Sequence, residues 1–272
     1  MEALDWVRYG RLREGTEALK EVITAKKNVS TAYLNLAWVY KDQQRVGDAI
    51  VVLEVGLESL PENYNIFFQY IVYLFEAGRW ADALTAFETR RFSQVEFDPI
   101  IWNYAGLSYW RSGDTEKAEE CFEKSISIDQ KFAIPYSNLG NLYAFLFRKT
   151  NDQAVYRKAI ESYKKAIELD PSYADSYYGL GTAYLQAGNY KEAISLLEKA
   201  LELQPDIDQT LYQLGMASMR AGDYSKAYLY FTKFKSSPTF DLLSSSEKTK
   251  VEEYIQRCKQ SASKAAEAKP QD

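Results

Sequence analysis

Histidine is absent from all 272 residues. That removes the usual general base near neutral pH and the commonest metal ligand. Ser-His-Asp catalysis and every His-bearing zinc motif go with it. Only two cysteines are present, Cys121 and Cys258, far apart in the chain. They make neither a disulfide framework nor a four-cysteine metal site. A basic excess is also missing: 33 Lys and Arg stand against 38 Asp and Glu, for a net charge of -5. The two signs are interspersed, so nothing is built for a phosphate backbone or an anionic lipid surface. The sequence has no G-x-x-x-x-G-K-[ST] phosphate loop. Its longest mostly apolar run, 64–75, falls short of the ~20 residues that a membrane span needs. No secretory signal is visible among the first residues. The expectation is a soluble chain, cytoplasmic by default and periplasmic if cut from an exported protein, with no enzymatic activity, no cofactor and no metal.

What the chain does have is apolar and aromatic. Hydrophobic residues make up 46% and aromatics 15%, led by 22 tyrosines. The apolar residues are organised by a long period. Ala49, Ala83, Ala118, Ala159, Ala193 and Ala227 each open a similar run, at separations of 34, 35, 41, 34 and 34 residues. Such a spacing is too long for a heptad and suits one helix–turn–helix unit. Within each half the apolar residues recur at three and four, which is one face of a helix. Gly188 suits a helix C-cap, where positive φ is common, and Pro205 ends the second helix of its unit. Cys121 falls on an apolar stripe and reads as an inert core thiol, whereas Cys258 lies near the end of a charged helix, where exposure is expected.

The clearest copy, 174–207, has Tyr177, Leu180, Gly181 and Tyr184, then Gly188 and Tyr190, then Ala193, Leu197, Ala200 and Pro205. This pattern resembles the tetratricopeptide repeat. The implied fold is all-α: a right-handed superhelical solenoid of antiparallel helix pairs with a C-terminal capping helix. The frame gives repeats at 30–63, 64–98, 99–132, 133–173, 174–207 and 208–241, preceded by a partial repeat at 1–29 carrying Trp6, Gly10, Leu19 and Val22. That partial repeat is either a degenerate cap or the remainder of a helix cut from a larger protein. A capping helix is expected over 242–261, entered through serines 244–246 and Glu247, with an apolar stripe of Val251, Tyr254, Ile255 and Cys258. Residues 262–272 read as a flexible tail. Gly179-Leu180-Gly181 opens like a dinucleotide fingerprint, but Tyr184 takes the place of the third glycine inside a helix, so it reads as structural.

The resemblance also implies a groove lined by first helices, where a peptide or helix of a partner protein binds. The positions it singles out are Asn35, Trp38, Phe68, Gln69, Val72, Phe75, Tyr104, Trp110, Asn138, Asn141, Tyr178, Tyr212 and Gln213. Trp38, Phe68, Phe75, Tyr104 and Trp110 are the expected anchors, since buried aromatics dominate such interfaces. Asn35, Gln69, Asn138 and Gln213 share one register, and a row of amides is able to pair with a peptide backbone. Tyr104 and Gly179 interrupt that row. The helix 66–75 is apolar all round, so it is either covered by its neighbours or forms an apolar floor. Lys41, Arg111 and Arg220 are too scattered for a carboxylate clamp or for nucleic acid. The first function expected is an interaction scaffold, with self-association left open. The alternative is an accessory module of a larger protein, an enzyme among the candidates, that positions a substrate or mediates self-association. The repeat at 133–173 carries seven extra residues around Phe145, Leu146 and Phe147. About one added turn on each helix should make an arm that packs on a neighbouring turn or docks a partner.

Overall fold

The computed structural model describes residues 12–25, 28–90 and 92–267. Among them are fifteen α-helices and no strand. Two compact units divide the chain, residues 1–130 and 131–272. The first holds α1 (Leu12–Ala25), α2 (Ser30–Asp42), α3 (Val46–Ser59), α4 (Tyr64–Glu76), α5 (Trp80–Thr89), α6 (Pro99–Arg111) and α7 (Thr115–Ile128). The second holds α8 (Ala133–Thr150), α9 (Gln153–Leu169), α10 (Ala174–Gln186), α11 (Tyr190–Leu203), α12 (Asp208–Arg220), α13 (Tyr224–Lys235), α14 (Pro238–Asp241) and α15 (Ser245–Glu267). Helices α2 to α13 form the six pairs that the spacing predicts, and the expected all-α class is the observed one. Of the partial first repeat, Leu19 and Val22 lie on α1, while Trp6 and Gly10 lie outside the described residues.

Local chemistry sets the helix limits. Asn63, Asp98, Asp114, Asp152 and Asp223 each accept a backbone N–H from the first turn of the helix they precede. Pro99 stands at the start of α6, where its missing N–H costs nothing. The turns inside four pairs carry a glycine at positive φ: Gly78, Gly113, Gly188 and Gly222. In the pair α2/α3 the equivalent residue is Gln44, held at φ 61°.

The core runs along the contact of each first helix with its second. Tyr33, Leu53, Phe67, Phe122, Tyr163, Leu197 and Phe231 are all essentially sealed from solvent. Tyrosine hydroxyls tie elements together: Tyr109 donates to Glu88 at 2.6 Å, Tyr230 to Glu198 at 2.8 Å and Tyr64 to Asp98.

In two places the structure departs from the spacing. The capping helix continues to Glu267, past the expected limit at 261, because Ala, Lys and Glu are strong helix formers. Its start is a capping box: the Ser244 N–H donates to Glu247 and the Glu247 N–H donates to the Ser244 hydroxyl. Cys258 is buried against Ala227 and Phe231, not exposed, because its stripe faces α13. The long repeat has 18 residues in α8 and 17 in α9, against 13 and 14 in the pair α10/α11. Its added turns pack on the next turn of the chain, the first of the two outcomes expected for the arm: the Phe147 and Tyr156 rings lie 4.9 Å apart, and Tyr156 Oη donates to the Ala183 carbonyl at 3.4 Å.

Candidate functional site

Trp38 on α2 is the most open of the expected anchors in the first unit, with 50% of its surface exposed. Asn35, one turn earlier on the same helix, is half-buried. On α4, Phe68, Gln69, Val72 and Phe75 are all half-buried. The Phe75 ring meets Trp80 and Tyr104 edge-on, each at 5.2 Å. Phe68 and Val72 pack on the buried core beneath them. The apolar helix is therefore covered in part by its neighbours and open in part. Trp110 is half-buried near the end of α6. Charges frame this aromatic strip. Lys41 pairs with Glu76 at 2.6 Å and lies over the Tyr73 ring, and the Arg111 guanidinium lies over Trp80. Burial, and after it the Glu76 carboxylate, pushes the Tyr104 hydroxyl above its usual pKa, so it stays a neutral donor and acceptor.

The second unit is built differently. Asn138 on α8 is buried, with 8% of its surface exposed. Asn141 is half-buried, and its side-chain oxygen accepts the Tyr163 hydroxyl at 2.8 Å. These two amides are thus drawn into the interior of the unit. The same tyrosine accounts for the break in the amide row. A Cβ at Gly179 would lie 2.3 Å from Tyr163 Cε1, and one at Gly140 would lie 2.6 Å from Cδ1. Glycine at 179 makes room for the Tyr163 ring.

Tyr178, Tyr212 and Gln213 do come together. They line a concave pocket of about 310 Å³ with Gln209, Phe234, Thr239, Leu243, Glu247, Lys250 and Val251. Tyr178, Tyr212, Phe234, Leu243 and Val251 give it an apolar body. Gln209 and Gln213, one turn apart on α12, supply amides at its edge. Glu247 is held ionised, below its usual pKa, first by the Ser244 hydroxyl and then by the Ser244 N–H. The wall formed by α14 and α15 was missed by the repeat pattern, because the cap follows no repeat register. Its sequence signals are Glu247, at the entry of the cap, and Val251, which begins the cap's apolar stripe.

Among the described residues no cluster of three acid or thiol ligands is able to hold a metal, and no helix is long and apolar enough to cross a membrane. Burial pushes the Cys121 thiol up to about 12 and raises that of Cys258, so neither is a ready nucleophile.

Family models for the tetratricopeptide repeat match residues 99–132 and 174–207, and one for the TPR repeat matches 155–188. No curated protein matches the sequence. Among solved structures, a tetratricopeptide repeat protein from Parabacteroides merdae is similar over 94% of this chain and 95% of its own, with 18% identity and a TM-score of 0.69. A chain of the APC/C hetero-tetramer Cut9-Hcn1 is similar over 88% of this chain, with 15% identity and a TM-score of 0.70; this chain spans 44% of it. YrrB, described as a TPR protein with an unusual peptide-binding site, is similar over 72% of this chain and 97% of its own, with 18% identity and a TM-score of 0.51.

Proposed function

We propose that this chain, a tetratricopeptide repeat protein, is a protein-interaction scaffold that holds a peptide or helix of a partner on its first-helix surfaces and has no catalytic activity of its own. The observation that carries the reading is the pocket at α12 and the cap. Its apolar body takes one large apolar side chain of the ligand. Gln209 and Gln213 face the neighbouring peptide backbone, to which each amide offers both a donor and an acceptor. In the first unit, Trp38 with Phe68, Val72, Phe75 and Tyr104 offers a second apolar surface of the kind aromatic anchors use. The description of YrrB as peptide-binding supports the same class of ligand. The net charge of -5 weighs against nucleic acid as the partner.

Peptides selected from a random display library on the whole chain test this. Those that bind should carry an aromatic or large aliphatic residue. Gln213→Ala or Trp38→Ala should weaken them by about tenfold or more, with little change in melting temperature. If no selected peptide depends on either residue, the reading fails. A second reading, an accessory module within a larger assembly, is favoured by the likeness to the longer Cut9-Hcn1 chain. Copurification of this chain from its own cells as part of a stable complex would decide for it.

A further inference from the structure

The six second helices repeat one pattern on their outer side, and one of them breaks it. Two residues after the marker alanine stand Val51, Thr85, Glu120, Glu161, Ser195 and Leu229; six residues after it stand Val55, Thr89, Lys124, Lys165, Lys199 and Lys233. Only α3 is apolar at both places. Val51 is 54% exposed and Val55 42%. Both border an open groove of about 310 Å³, floored by Ile23 of α1, Tyr33 and Leu36 of α2, and Val52. β-Branched side chains have low helix propensity and gain nothing from facing water, so two of them at solvent positions call for a covering surface.

The rim states the chemistry of that surface. Glu54 and Glu58 lie on the same exposed stripe of α3 as the two valines, at the three- and four-residue spacing of one helix face. Across the groove, α1 exposes Glu17, Glu21 and Lys20, and Lys20 is already paired with Glu17 at 2.9 Å. The groove's one charged lining residue is thus Lys20, already paired, and the exposed acids of α1 and α3 flank its apolar centre. We infer that the groove between α1 and α3 is a second docking surface, for an amphipathic helix of a partner protein whose apolar stripe is flanked by lysines or arginines. Its apolar face would cover Val51, Val55 and Ile23, and its cations would meet Glu54, Glu58 and Glu21. Complementary charge of this kind sets orientation and speeds encounter.

Substitution is clean here, because Ser and Lys stand at these positions in other repeats. The probes are a synthetic leucine–lysine amphipathic helix and its leucine–glutamate counterpart, titrated by fluorescence anisotropy onto the whole chain. The leucine–lysine helix should bind and the leucine–glutamate helix should not. Val51→Ser/Val55→Ser, which leaves net charge unchanged, should weaken binding by about tenfold, and Glu54→Gln/Glu58→Gln should weaken it and flatten its salt dependence. Equal binding to the wild type and the serine variant would overturn the proposal, since attraction would then be general charge. So would a lower melting temperature of the serine variant, which would mean that the chain covers this face itself. A dimer of the wild type that the serine variant abolishes would assign the face to a second copy instead. Gln213→Ala should leave this binding intact, which separates it from the pocket at the cap.

Discussion

Gly179→Ala should destabilise the chain although the position is mid-helix and alanine is the better helix former. Propensity alone favours the change by about 1 kcal/mol. Against it stands the Tyr163 ring, 1% exposed, which an added Cβ would approach to 2.3 Å at Cε1, 2.6 Å at Cζ and 2.8 Å at Oη. Ordinary contact is nearer 3.5–4.0 Å, so the ring must withdraw by about 1 Å. Gly140 closes on the same edge of the ring, and the hydroxyl is bound to Asn141. Overpacking of this kind costs about 1–3 kcal/mol, and the lost hydrogen bond about 1 more. The net expectation is a loss of roughly 1–3 kcal/mol, read as a lower urea midpoint by circular dichroism. Tyr163→Leu supplies the control, since Leu53 and Leu197 hold the same register in other second helices. In that background Gly179→Ala should cost nothing or stabilise. If it stabilises the wild type, or if the two changes add to within about 0.5 kcal/mol, then the ring and the glycine are not coupled and the reasoning is wrong.

Gln44→Gly should raise stability by about 0.5–1 kcal/mol in thermal melts, because Gln44 holds a positive φ that glycine adopts without strain. Alkali should unfold the chain early. Burial raises the pKa values of Tyr64, Tyr109, Tyr163, Tyr173 and others above 10.0, with Tyr230 pushed up to about 12. These groups stay neutral in the folded chain while the unfolded chain ionises. Their stabilisation is complete below pH 10 and is lost as pH rises from there through the folded values, so a urea midpoint constant to pH 12 would contradict it. Both thiols should react with a disulfide reagent only after denaturation, and a fast native phase would refute the burial of Cys258.

The helix pairs were legible because the repeats restate the same demands: in all six an alanine where two helices meet and apolar residues at three and four, and in four of them a glycine at the turn. Repetition turns a weak local signal into a strong one. What stayed hidden is what happens once. Gln44 occupies a glycine turn position without a glycine's signature, so its strain appears only in the backbone angle. Cys258 sits among charged neighbours, and its burial depends on which face of the cap meets α13.

The candidate sites divide in the same way. Register alone assigns Asn138 and Gln213 to equivalent surface positions and Asn141 to the groove one turn further on, because it treats every second helix as interchangeable. Tyr163 is not interchangeable. Its hydroxyl reaches across to Asn141, and its ring needs Gly179 where the other first helices carry Asn, Gln or Tyr. One larger side chain thus converts a presumed ligand amide into an internal acceptor and removes the next amide of the row. At Gln213, the position that matches Gly179, the preceding second helix carries Leu197 in Tyr163's register, a side chain shorter than tyrosine. Which first-helix positions stay open as candidates follows from what each second helix leaves unused beside them, and that is fixed by side-chain length as much as by period.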